Sequence, residues 1–99
     1  EFTNEAILEL KELDKQNQKR VIRTVRLFEE LGHQAVNSRP LDNELFEMKT
    51  DKVRIYFTYQ KDKLVIIALI TLKKTQKAPE RLKTEALKRI EKYREQRSI

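Results

Sequence analysis

The residues best suited to chemistry are cations gathered near polar partners. Lys73-Lys74-Thr75-Gln76-Lys77 sets three ammonium groups, a hydroxyl and an amide within five consecutive positions. On a loop fixed by a rigid scaffold, such a set can hold a phosphate; at a strand end it can equally serve to discourage edge pairing. Lys77 lies just before a helix start marked by Pro79, and free N–H groups at a helix start attract anions. A second candidate is Arg54, which alternation puts on the same strand face as Tyr56. A guanidinium there is either a half-solvated strand residue or a phosphate clamp, since its planar fork fits phosphate bidentately. His33 is the only histidine, suited to acid–base work or to capping a helix end.

Other chemistries lack their residues. Cys is 0, which excludes a thiol nucleophile, a disulfide scaffold and cysteine-held metal. One glycine cannot build a Gly-rich phosphate loop. Asp42, Glu44 and Glu47 are close in sequence, but alternation spreads them over two faces and no histidine pattern accompanies them. Ser38 and Ser98 have no triad context. Neither a metal nor a cofactor is expected.

The elements that must position these residues follow from periodicity. The chain has 99 residues, enough for a single domain spanning 1–99. Thr3 or Asn4 caps a first helix whose apolar positions are Ala6, Ile7, Leu10 and Leu13. Residues 14–17 read as a short turn. Val21, Ile22, Val25, Phe28 and Leu31 form the stripe of a second helix that stops at Gly32, giving a helical hairpin. Residues 33–44 read as loop. Leu45 to Lys49 is a short strand. Val53, Ile55, Phe57 and Tyr59 alternate with polar neighbours as a half-buried strand, Gln60 to Lys63 is a turn, and Leu64 to Leu72 is a nearly all-apolar central strand. Leu82, Ala86, Ile90 and Tyr93 make the stripe of a final helix. The order predicts an α+β fold, with helices on both faces of a small antiparallel sheet.

Charge is uneven along this layout. Lysine and arginine number 22 against 16 acidic residues, a net charge of +6. Residues 1–70 are balanced, and the whole excess lies in residues 71–99. A second basic cluster is Lys15, Lys19, Arg20, Arg23 and Arg26. Basic stripes are the footprint of a polyanion or of a partner that masks them. The longest apolar run, Leu64 to Ile70, is far below the roughly 20 residues of a membrane span, and no signal-peptide pattern opens the chain. The expected location is the cytoplasm, with no membrane.

The helical hairpin, the run Leu41-Asp42-Asn43-Glu44-Leu45-Phe46-Glu47-Met48, the strand Val53-Arg54-Ile55-Tyr56-Phe57 and the segment Leu72-Lys73-Lys74-Thr75-Gln76-Lys77-Ala78-Pro79 together resemble the RelE/ParE superfamily of bacterial toxins. The similarity is greatest to its HigB-type, phage-derived branch. It covers about residues 3–97. It implies a RelE-like, microbial-RNase-like fold and the toxin of a type II toxin–antitoxin system. The implied activity is that of an mRNA interferase: a ribosome-dependent endoribonuclease that inhibits translation by metal-independent attack of the 2′-hydroxyl on the adjacent phosphorus. The implied partners are a cognate antitoxin protein and mRNA in the ribosomal A site. Carried over by position, Arg54, Lys73 and Lys74 are the expected catalytic residues. Lys49, Tyr56, Thr75, Gln76, Lys77 and Arg81 are the expected RNA contacts. Met48 stands where the family has an arginine, and no tyrosine lies near Glu80, where some relatives have one. The first strand of the family is reduced to Glu1-Phe2, which leaves three strands and an edge open to a partner. A ParE-like inhibitor of DNA gyrase, or a catalytically silent remnant that binds an antitoxin or RNA, are the other readings of the same scaffold.

Overall fold

The computed structural model describes residues 1–42, 44–61 and 64–97. Asn43, Asp62, Lys63 and Ser98, named in the turn, loop and triad readings above, lie outside the described residues.

The chain begins with two helices, α1 (Asn4–Glu12) and α2 (Lys15–Leu31). The Thr3 hydroxyl accepts from the Ala6 N–H at 3.1 Å and so caps α1. The break between the helices is shorter than the sequence suggested. Only Leu13 and Asp14 interrupt them, both in extended conformation, and Gln18 donates back to the Lys11 and Leu13 carbonyls across it. Gly32 ends α2 with φ of 87°, where a side chain would be strained. A short 3-10 turn, His33–Ala35, follows.

Four strands come next, β1 (Asn37–Asp42), β2 (Leu45–Lys49), β3 (Val53–Tyr59) and β4 (Val65–Leu72), and then α3 (Glu80–Arg97). The sheet order is β1-β2-β3-β4, antiparallel throughout. The fold is α+β, as expected, but the loop predicted over 33–44 contains strand β1. The reason is physical. β1 is a mostly exposed edge strand of polar composition, so burial imposes no apolar alternation on it, and Pro40 is tolerated because an edge strand can leave one N–H position unused.

β4 also differs from its expected central position. It ends the strand order, yet its outer edge is covered. Phe2 bridges Ile67 in parallel, the Thr3 N–H donates to the Ile67 carbonyl at 2.9 Å, and the Ile67 N–H donates to the Glu1 carbonyl at 2.7 Å. Farther along, the Ile70 N–H donates to Glu9 Oε1 at 3.0 Å, and Arg89 Nη1 donates to both Glu9 Oε1 and the Ala68 carbonyl. Residue 1–3 backbone and two side chains thus satisfy groups that an edge would leave bare. Among the described residues the edge without a strand partner is that of β1.

Helices cover both faces of the sheet, as the sequence predicted. On one face Ala6, Val21, Val25 and Phe28 of α1 and α2 pack on Met48, Val53, Ile55, Phe57 and Ile67. On the other, Ala86 and Ile90 of α3 pack on Leu45, Tyr56, Ile66 and Leu69. A register shift between Tyr56 and Phe57 lets Ala68 join the α3 side. Met48 is fully buried in the first core.

Candidate functional site

α3 begins only at Glu80, so it leaves the Arg54 end of the α3-side sheet face uncovered by helix. The segment 73–79 lies there instead. Its first residue is tied to the sheet by the Lys73 N–H donating to the Lys52 carbonyl at 2.8 Å. Its far end is anchored by Ala78, buried in the α3-side core, and by Pro79, whose carbonyl opens the helix by accepting from Leu82 and Lys83. Between these anchors Lys74, Thr75, Gln76 and Lys77 are exposed.

Arg54 supports this segment from beneath. Its side chain is only 2% exposed. Nη2 donates to the Thr75 carbonyl at 3.2 Å and the Gln76 carbonyl at 3.1 Å, Nη1 donates to the Lys77 carbonyl at 3.5 Å, and Nε donates to Glu47 Oε1 at 2.9 Å. The strand face read from alternation is therefore correct, but the side chain is not half-solvated. A chain segment some twenty residues later folds over it. Glu47 is fully buried, and its other oxygen accepts from Arg39 Nε at 3.0 Å. Two guanidiniums and one carboxylate leave this triad with one net positive charge.

Six of the nine residues expected from the sequence come together. Lys49, Arg54, Lys73, Lys74, Thr75 and Gln76 line one open cleft of about 390 Å³. Lys49 reaches it because it pairs with Arg54 across β2 and β3. No carboxylate lines the cleft, and no ion pair or hydrogen bond engages the Lys49, Lys73 or Lys74 ammonium groups among the described residues. The result is a concave surface of uncompensated cations around a hydroxyl and an amide, which favours an anion with several oxygens.

The other three expected residues stand apart. Tyr56 is fully buried under α3, and its hydroxyl has no hydrogen-bond partner among the described residues. Burial pushes its phenol up from the usual value, while the neighbouring Arg54 guanidinium pulls it down. Lys77 and Arg81 are exposed and do not line the cleft. Nearby Lys83 bonds Glu80 at 3.1 Å and also pairs with Asp42, and these contacts raise its pKa. His33 lies with Tyr59, Leu64 and Val65 at the opposite end of the sheet, about 16 Å along β3 from Arg54 at ordinary strand rise. Among the described residues no three His, Asp or Glu side chains come together as a metal site. Sequence reasoning missed Arg39, because the polar run around Pro40 carried no strand signal.

Residues 8–91 match the family described as Phage derived protein Gp49-like (DUF891). The chain belongs to that family. Two solved structures show which fold the Gp49-like chain shares. One is the toxin–antitoxin complex RelBE2 from Mycobacterium tuberculosis, at 18% identity over 74% of this chain and 94% of that one, with a TM-score of 0.61. The other is the isolated RelE toxin of E. coli, at 19% identity over 91% of this chain and 95% of that one, with a TM-score of 0.57. At such identities the likeness is one of fold, and the fold is that of the RelE toxins. Curated protein sequences gave no match.

Proposed function

We propose that this Gp49-like chain is the toxin of a toxin–antitoxin pair, and that it acts as an endoribonuclease on mRNA held in the ribosomal A site. The observation that carries the reading is the cleft. Lys49, Lys73 and Lys74 converge there on a RelE-type fold with Thr75 and Gln76.

The chemistry follows from what the cleft contains. The RNA 2′-oxygen attacks the adjacent phosphorus, the bond from phosphorus to the 5′-oxygen breaks, and the products are a 2′,3′-cyclic phosphate and a 5′-hydroxyl. The 2′-hydroxyl gives its proton to solvent water, and the leaving oxygen takes one from a lysine ammonium that solvent then reprotonates. The nucleophile is part of the substrate, so no water has to be activated by a metal. Negative charge grows on the phosphorus oxygens as the fifth bond forms, and preorganised cations stabilise it more than they stabilise the ground state. Lys74 and Lys73 fill this role, with an ammonium as proton donor to the leaving oxygen. Arg54 acts as a positioning residue: its donors hold the carbonyls of residues 75–77, and its charge lies beneath the phosphate. Glu47 is a poor general base, because both its oxygens already accept from arginines.

One of the similar structures is a toxin–antitoxin complex, and a cationic cleft of this kind suits an acidic antitoxin segment laid across it. Ribosome-bound mRNA as substrate places the work in the cytoplasm; no helix among the described residues is long and apolar enough to cross a membrane. The reading is tested by induced expression in bacteria. Translation should stop with loss of intact mRNA for the wild type and continue for Lys74→Ala. Arrest with intact mRNA would contradict it.

A further inference from the structure

We infer that Arg39 is a second phosphate-binding position, which holds the RNA backbone beside the cleft rather than at the bond that is cut. The inference rests on the endoribonuclease reading and extends it to a residue outside the cleft lining.

The geometry is specific. Arg39 is opposite Glu47 in the β1–β2 register, and Glu47 is opposite Tyr56 in the β2–β3 register. Arg39 therefore shares the sheet face of Lys49, Arg54 and the cleft. It contacts Glu47 through Nε alone, at 3.0 Å. Its terminal nitrogens have no partner among the described residues, and the side chain is 50% exposed while Glu47 is fully buried. The buried carboxylate thus orients a guanidinium whose fork still faces solvent. An arginine restrained in this way loses less freedom on binding a phosphate than one ranging free on a surface.

Glu47 also sets the spacing. One carboxylate joins Arg39 to Arg54, which puts the two guanidiniums on its two sides. Arg54 spends its donors on protein carbonyls beneath the cleft, whereas Arg39 keeps its own. A single strand running over the cleft toward β1 meets Arg39 with another of its phosphates. The contact is to the backbone, so it adds affinity without base preference.

The test compares wild type, Arg39→Gln and Arg39→Lys in binding a single-stranded 2′-O-methyl RNA, which cannot be cut by its own 2′-oxygen. Affinity is measured from low to moderate salt. Arg39→Gln is expected to weaken binding about tenfold at low salt and to flatten the log–log salt slope by about 0.7, the loss of one phosphate contact. Arg39→Lys should keep the slope while losing part of the affinity, since it retains charge but not the fork. In a translation reaction Arg39→Gln should raise KM and leave kcat unchanged. A purely structural role would instead lower kcat or the unfolding midpoint without moving the salt slope. Equal affinity and slope in wild type and Arg39→Gln would overturn the inference while wild-type cleavage stood. Absence of salt-dependent RNA binding by the wild type would overturn it as well. Loss of cleavage by the wild type, read separately by primer extension, would instead sink the endoribonuclease reading.

Discussion

Glu47 lies between two arginines, with one carboxylate oxygen 2.9 Å from Arg54 Nε and the other 3.0 Å from Arg39 Nε. The Arg54 pair is buried on both sides, whereas Arg39 is half in solvent. The asymmetry assigns different work to the two cations. Arg54 and Glu47 form a fixed support for the basic segment, and Arg39 presents its charge outward.

Breaking that support should cost stability as well as activity. Arg54→Ala strips donors from three backbone carbonyls and leaves Glu47 with only its half-exposed partner. Removing one member of a buried ion pair costs about 3–5 kcal/mol. Urea unfolding should show a loss of that size for Arg54→Ala and for Glu47→Ala. The double variant should lose less than the two singles together, because neither charge is then left alone. Simple additivity would show that the two side chains are not coupled.

Tyr56 gives a prediction of opposite sign. Its buried hydroxyl has no partner among the described residues, so Tyr56→Phe removes an unsatisfied polar group and should stabilise the fold by about 1 kcal/mol. Cleavage should be unchanged, because the ring is covered by α3. The phenol ionises at higher pH when folded than its usual 10.0. Above the unfolded value, the folded chain therefore holds a proton that the unfolded chain has released. Stability should fall as pH rises past about 10, and the Tyr56 contribution to that fall should vanish in Tyr56→Phe. Reduced RNA cleavage by a stable Tyr56→Phe would instead return the hydroxyl to the RNA contacts expected from the sequence.

Arg89 tests the closure of the β4 edge. Burial lowers its pKa, but its bonds to Glu9 and Glu85 more than offset this and raise it. It joins α3 to Glu9 of α1 and to the Ala68 carbonyl. Arg89→Ala should destabilise the chain by about 1–3 kcal/mol, as expected for losing charge-assisted bonds. Amide exchange at Ile70 should quicken, since Glu9 loses the partner that holds it over that N–H. An Ile70 amide still protected as in the wild type would show that Glu9 needs no such help.

Much of this arrangement was legible in the sequence. Both hairpin helices and α3 carry period-3.6 apolar stripes, because each has one face on a core. β3 alternates as read, but it is not half-buried as its pattern suggested: α3 and the 75–77 segment cover Tyr56 and Arg54 on its polar face as well. The Lys73–Gln76 run stood out because its residue types are dense and local. β1 was not legible: an exposed edge strand needs no buried face, and Pro40 imitates a loop. The burial of Arg54 was not legible either. Alternation set its face, but what covers that face comes from residues 75–77, and no local pattern encodes so distant a contact. The second partner of Glu47 was hidden for the same reason that β1 was.

The central claim is that Lys73 and Lys74 act on RNA in the cleft, and primer extension on mRNA in a translation reaction tests it most directly. Reactions with and without ribosomes would receive wild type, Lys74→Ala or Lys73→Ala/Lys74→Ala. Lys74 is exposed and Lys73 half-buried, and neither ammonium group has a partner among the described residues, so substitution should leave the unfolding midpoint in place. Cuts that require ribosomes, fall at least a hundredfold with Lys74→Ala and vanish in the double variant are the predicted result, within the range that electrostatic groups at a reacting centre supply. Equal cutting by a folded double variant, or none by the wild type, would contradict the account.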